Sequence, residues 1–404
     1  MTMSIRYQDF SLEFPQELCD YIFETLRNDS LSLKNCSLVC KAWLHATRTH
    51  LFRQVILTPK NIDPFTYLII DSLSTVHPHV RKLELRRISY LNRWIVSNFT
   101  PTLTHLRMHG ILFNTFADIL DIICSFPYLQ SVALDESTVE SSTVEESESA
   151  RIQNKVLPSF VNSVRCRGGR GCLRAFLLWL LHHNKIPKLS SLDVGPIEEE
   201  STFGIGKYLA FIGPAINHLS ICFDFSHNSH ICAIQPKDPD PQIMLPLTSE
   251  RRAKTTTNVP SIAERYKALF GIDICPSLGN LTGLHSLRLD NFIHFEDHIH
   301  ASSLIWAPRI LASIRAVDLR EVILDISLRK AGELDKFNIH WDFLDEIFSS
   351  SINMDRRPYS NLVSVKFEIS GTVNMDGIAY LLRSRLPGCE KRGLLQFCKE
   401  KKVH

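Results

Sequence analysis

Few residues in this chain are spaced for chemistry. The run His294-Phe-Glu296-Asp297-His298-Ile-His300 sets metal-capable groups close together, and on a helix His294 and His298 would share a face. Gly168-Gly169-Arg170-Gly171 is glycine-rich but lacks the lysine and the spacing of a phosphate-binding loop. Both read more simply, the first as solvated histidines and the second as a bend after a strand. His182-His183 suits a helix C-terminus, where a cationic ring meets the dipole. Cys36 and Cys40 suit small apolar gaps. The sequence contains no GxSxG, HExxH or GxxxxGK(S/T). The expectation is a chain that is not an enzyme and carries no cofactor and no metal.

A more informative set is basic. Lys82, Arg86, Arg107, Arg165 and Arg167 stand between apolar residues, with Glu84, His105, His109 and Asp135 in equivalent places. Counting histidine as neutral, five cations against two carboxylates give +3. The corresponding later positions, Asp193, Arg288, Asp290, Asp318, Arg320, Lys366 and Glu368, give −1. Arg86, Arg107, His109, Arg165 and Arg167 are therefore the candidate residues for an acidic or phosphorylated protein substrate, held through paired Arg contacts. A solvated charged face is the simpler reading of any one of them.

The elements that must position these residues follow one pattern, apolar-x-x-apolar-x-apolar. It recurs at Val80, Leu103, Leu129, Val161, Leu189, Ile216, Leu284, Ile314 and Leu362. The last two apolar positions of each unit alternate with polar ones, as in a short strand buried on one face. Helical segments are expected at Phe65–Thr75, Leu91–Phe99, Phe113–Phe126, Leu173–Asn184, Trp341–Ser350 and Met375–Leu386. Strand and helix alternate about every 23 to 32 residues where uninterrupted. No unit can bury its own apolar face, so neighbours must stack into an α/β solenoid with a curved parallel sheet inside and helices outside. The units resemble leucine-rich repeats, with one departure. The Asn usual three residues after the last strand Leu is replaced by Ile88, Ile111, Ile197, Phe292 and Val322, which implies irregular repeats. A doubly wound parallel sheet is the alternative.

Before the repeats, residues 14–57 read as three short helices. Pro15 suits a first helical position, Leu18, Ile22 and Leu26 form a stripe, and Asn28, Asp29 and Ser30 can cap the next helix. Leu33, Cys36, Leu38, Val39 and Trp43 continue, and Leu51 and Phe52 close the unit. So small a unit has little interior for so much apolar surface, so part of it should face a partner. Phe14-Pro15-x-Glu17-Leu18-x-x-x-Ile22-x-x-x-Leu26, then Ser37-Leu38-Val39-Cys40-Lys41-x-Trp43, resembles an F-box over about residues 11–57, with Phe14 where that family usually has Leu. The resemblance implies binding to the Skp1 adaptor and, through it, to the cullin and RING subunits of a ubiquitin ligase. It implies Phe14, Pro15, Glu17, Leu18, Ile22, Leu26, Leu38, Val39, Cys40, Lys41 and Trp43 as the docking set.

The bulk numbers fit this division. The chain has 404 residues, 44% hydrophobic and 22% charged, with net charge +2, which argues against nucleic acid or a membrane as partner. The first twenty residues carry charges and no long apolar core, and the eleven cysteines form no CxxC pairs, as expected for an intracellular protein with reduced thiols. The expected domains are an F-box at 11–57, a solenoid at 58–386 with loop insertions at 136–149 and 226–260, and a C-terminal cap and tail at 387–404. The acidic, Ser-rich 136–149 could be phosphorylated, but reads first as an inert insertion. The functional expectation is a substrate adaptor of a ubiquitin ligase. The alternatives are a Skp1-bound scaffold outside ubiquitination and an enzyme using the histidine cluster or the glycine loop.

Overall fold

A computed structural model describes residues 15–70, 76–88, 99, 101–140, 152, 155–167, 172–182, 188–197, 199–223, 278–295, 302–337, 339–349 and 359–399. Phe14, the glycine run 168–171, the insertion 226–260, His298, His300 and all of the expected helix Leu91–Phe99 but its last residue lie outside them.

Three helices open the chain: α1 (Gln16–Thr25), α2 (Ser30–Cys36) and α3 (Lys41–Leu51). Pro15 sits one position ahead of the first helical residue, and its carbonyl accepts from the N–H groups of Leu18 and Cys19. Among the three polar residues before α2, Asp29 is the cap. Its carboxylate accepts from the N–H groups of Leu31 and Ser32, both at 3.1 Å, and from the Ser32 hydroxyl at 2.6 Å. Those hydrogen bonds, the Ser32 hydroxyl first, hold the Asp29 carboxyl below its ordinary value. Cys19, Phe23 and Leu33 form a small core of their own, with Ile22, Leu26, Cys36, Trp43, Ala46 and Leu51 packed around it. Trp43 meets Phe23 edge to face at 5.3 Å.

Among the described residues, eleven strands then form one wholly parallel sheet. They are β1 (Gln54–Leu57), β2 (Lys82–Arg86), β3 (His105–His109), β5 (Ser131–Asp135), β7 (Ser163–Arg167), β8 (Ser191–Ile197), β9 (His218–Phe223), β10 (Ser286–His294), β11 (Glu321–Leu328), β12 (Ser364–Gly371) and β13 (Leu395–Lys399). The short pair β4 (Leu112–Phe113) and β6 (Thr138–Val139) makes a second, two-stranded parallel sheet. Strand order equals chain order throughout. A doubly wound sheet would reverse direction at a switch point; this one does not, and an α/β solenoid results. Helices α4 (Ile62–Ile70), α5 (Phe116–Cys124), α6 (Cys172–His182), α7 (Glu199–Ile212), α8 (Ser302–Ser313), α9 (Trp341–Ser349), α10 (Met375–Arg385) and α11 (Pro387–Lys391) lie between or after the strands. No described helix is long and apolar enough to cross a membrane.

The repeat pattern explains the core. Leu83, Leu106, Val132, Val164, Leu192, Leu219, Leu287, Val322 and Val365 form one buried row across the sheet. Leu85, Met108, Leu134, Cys166, Val194, Ile221, Leu289, Leu324 and Phe367 form the next. A fully buried side chain of this kind is worth about 1.5–3 kcal/mol relative to exposure, and the rows run through every repeat into one continuous core. The positions where Asn was missing extend that core, since Ile88, Ile111, Ile197 and Phe292 are all buried. Backbone replaces the missing side chain in the first turns. Arg87, Gly110 and Glu136 adopt left-handed φ of 52°, 62° and 53°. That conformation aims their N–H groups at the carbonyls of His109, Asp135 and Arg167 on the neighbouring strand, at 2.8–2.9 Å.

Several boundaries differ from the sequence reading. The unit placed at Ile314–Leu319 lies before its strand, which runs Glu321–Leu328, so Leu319-x-x-Val322-x-Leu324 is the true repeat and Asp318 and Arg320 precede the strand. Two apolar triplets overlap there, and pairing of Leu287 with Val322 selects the second. The segment 54–57 belongs to the sheet as β1, so the N-terminal unit ends before it. The C-terminal cap is built around a strand that runs to Lys399, since β13 pairs with β12. The start of the acidic insertion is strand β6.

Candidate functional site

Two surfaces stand out, one on the helical trio and one on the sheet. On the trio, the residues picked out by the motif fall into two groups. Ile22, Leu26 and Trp43 pack against the small core. Leu18, Leu38 and Val39 do not; they are 50%, 83% and 64% exposed, and Tyr21 and Leu31 join them at 73% and 69%. Pro15, Glu17, Cys40 and Lys41 are exposed as well. The α2–α3 turn that carries Leu38 and Val39 is held by the N–H groups of both residues, which donate to the carbonyls of Asn35 and Cys36 at 3.1 Å. Apolar side chains held in water by an ordered turn are a cost that a partner surface would remove.

The second surface is the polar face of the sheet, where the alternation puts Arg86, Arg107, His109, Arg165 and Arg167. The first four repeat strands keep the expected basic excess, five cations against two carboxylates, and the later strands carry the balancing carboxylates. Cations Lys82, Arg86, Arg107, Arg165, Arg167, Arg288 and Lys366 share the face with carboxylates Glu84, Asp135, Asp193, Glu321, Asp290, Asp325 and Glu368, seven against seven. The charges interlock across strands. Glu84 accepts from Arg86 at 2.8 Å and lies 3.6 Å from Arg107, which donates to Asp135 at 2.7 Å. Arg165 and Arg167 both donate to Asp193 at 2.8 Å, and Arg167 reaches on to Asp290. Arg288 joins Asp290 to Glu368, which also holds Lys366 at 2.7 Å. Burial alone would lower the Arg167 and Arg288 values. The neighbouring carboxylates outweigh it, Asp193 and Asp290 for Arg167, Asp290 and Glu368 for Arg288, and both guanidiniums are raised and stay charged.

The ladder has an inside and an outside. The side chains of Glu84, Asp135, Asp193 and Asp290 are 6–12% exposed, whereas those of Arg86, Arg107 and Arg165 are 39–44% exposed. What a partner meets is therefore guanidinium N–H groups lying on a floor of carboxylates. His109 lies apart from this chain, its Nε2 3.5 Å from Glu136 and its Nδ1 buried without a hydrogen bond. A shallow hollow of about 640 Å³ runs over the face, lined by Glu84, Arg107, Arg165, Arg167, Asp193 and Arg288 among others. Neighbouring-strand and longer-range pairing of this kind joins residues as far apart as Arg167 and Asp290, and no local spacing signals it.

Among the described residues no group of three or more His, Cys, Asp or Glu is placed to hold a metal ion. Of the histidine cluster, His294 lies at the end of β10 rather than on a helix, its ring 4.4 Å from that of Phe295. Cys36 and Cys40 are both free thiols, Cys36 partly buried against the trio core and Cys40 exposed. The chain matches no protein-family model and no curated protein.

Proposed function

We propose that this chain is the substrate-recognition subunit of a Skp1–cullin–F-box ubiquitin ligase, with the helical trio as F-box and the solenoid, of leucine-rich-repeat type, as substrate holder. The observation that carries the reading is the exposure of Leu18, Leu38 and Val39, motif residues left in water by a trio that already has a core. Skp1 docking would bury them. The polar face of the sheet would hold a protein substrate through the outward guanidinium edges of Arg86, Arg107 and Arg165, which bond bidentately to carboxylates or phosphoryl groups. In this role the chain catalyses nothing. It holds a substrate lysine near the E2-bound ubiquitin thioester, replacing a bimolecular encounter with a tethered one.

The test is capture of purified Skp1 by the full chain and by Leu38→Glu/Val39→Glu. Both positions are exposed, so the double variant should keep the wild-type circular dichroism spectrum and lose Skp1. A folded variant that captures Skp1 as well as the wild type would sink the proposal. Cullin-dependent turnover of a bound client then separates a ligase subunit from a Skp1-bound scaffold.

A further inference from the structure

Where the sheet begins, beside the trio, cations gather in excess of the carboxylates near them. The carbonyl of Arg53 accepts from the N–H groups of Arg81 and Lys82 at 3.0 and 2.9 Å, and that of Arg81 from Thr104 and His105 at 2.9 and 3.0 Å. These bonds set Arg53, Lys82 and His105 side by side at the strand starts. The last turn of α3 brings His50 to the same edge, and the short turn His77–His79 brings His79, its ring 3.4 Å from the Thr49 hydroxyl. The six side chains of His50, Arg53, His79, Arg81, Lys82 and His105 line a cavity of about 380 Å³. A hollow of about 490 Å³ adjoins it, sharing His50, Arg53 and Lys82.

Among the described residues no ion pair engages Arg53, Arg81 or Lys82. Glu24 of α1 stands 3.7 Å from His50 and also feels Arg53, but Arg27 already holds it at 2.6 Å. Two histidines register the surplus. Burial first, then Arg81, Arg48, His45 and His77, lowers the His79 value; burial first, then Lys82 and Arg53, lowers that of His105.

We propose that this cavity binds phosphoryl groups, either on a small free polyphosphate or on a phosphorylated side chain. Such a group brings about two negative charges and several strong acceptor oxygens. Residues that carry guanidinium, ammonium and imidazole groups border the cavity from four separate elements, with Thr49 and Thr104 beside them. A bound anion would favour the imidazolium forms of His79 and His105.

Calorimetry on the full chain tests this with two probes, inorganic tripolyphosphate and a phosphoserine peptide beside its unphosphorylated form. One-to-one binding is expected. Arg53→Gln/Lys82→Gln, both exposed, should weaken it at least about tenfold. Lys391→Gln/Lys399→Gln, equal in charge change but at the far end of the chain's sheet, should leave it unchanged. Preference for tripolyphosphate assigns the site to a free anion, and preference for the phosphopeptide over its unphosphorylated form assigns it to a modified protein segment. No binding of either probe or equal loss in both variants would overturn it.

Discussion

Trp43 shows how a single residue can mislead a binding experiment. It belongs to the proposed docking motif, yet its ring packs edge to face on Phe23 in the trio core. Trp43→Ala should therefore cost about 2–4 kcal/mol of local stability and lose Skp1 by loosening the trio. Leu38→Glu/Val39→Glu should lose Skp1 with melting unchanged, and comparing Skp1 capture with thermal denaturation separates the two. Arg167 is the corresponding residue of the sheet. Arg167→Met leaves Asp193 and Asp290 buried without their shared cation, and chemical denaturation should report a loss of about 3–5 kcal/mol. Glu368 gives the ladder an acid limit. Burial would raise its value, but hydrogen bonds from Lys366 and Arg288 outweigh burial and lower it below the ordinary 4.5. A depressed carboxyl contributes stability that is complete above the unfolded value and lost as pH falls through the folded one. Thermal melts should weaken below about pH 4.5, and Glu368→Gln should flatten that limb.

At the scale of elements, strand ends are the sensitive points. The backbone at Gly371 has φ of 101°, and a Cβ there would collide with the Leu328 carbonyl of the neighbouring strand. Gly371→Ala should cost about 3 kcal/mol in denaturant unfolding, because both the left-handed conformation and the close approach oppose a side chain. Ser137 has the same kind of local importance. Its buried hydroxyl donates toward the Met108 and Asp135 carbonyls and accepts from the Ile111 N–H at 3.2–3.4 Å. It thus does at one turn what the absent Asn does in regular repeats. The helices were more legible than the turns. Trp341–Ser349 and Met375–Arg385 match their expected spans to within a residue, because apolar periodicity marks them directly. The helix expected from Phe113 begins only at Phe116, because Thr115 and Asp118 form a capping box there and Leu112–Phe113 pairs as a strand instead.

For the molecule as a whole, stacking makes each repeat the support of the next, and the last strand matters beyond its length. β13 covers the edge of β12 and sets Phe397 on Phe367 at 5.7 Å. Removing residues 393–404 should uncover that edge and produce concentration-dependent association, measurable by light scattering after size exclusion. The repeat pattern alone determined the alternation of strand and helix, eight of the eleven strands of the main sheet and which of their side chains face the core, because a period of two within a strand and a stacked apolar row need only local order. The trio was legible for the same reason, from its caps and stripes. Three things were decided only by tertiary structure. Pairing of β11 against β10 chose between two overlapping apolar triplets. Packing around Phe23 sorted the motif into core residues and exposed ones. Side-by-side strands set the basic excess of the first repeats against carboxylates of the later ones, and left no ion pair on Arg53, Arg81 or Lys82 among the described residues. Each depends on distances between residues tens of positions apart, and a linear order of residues does not contain them.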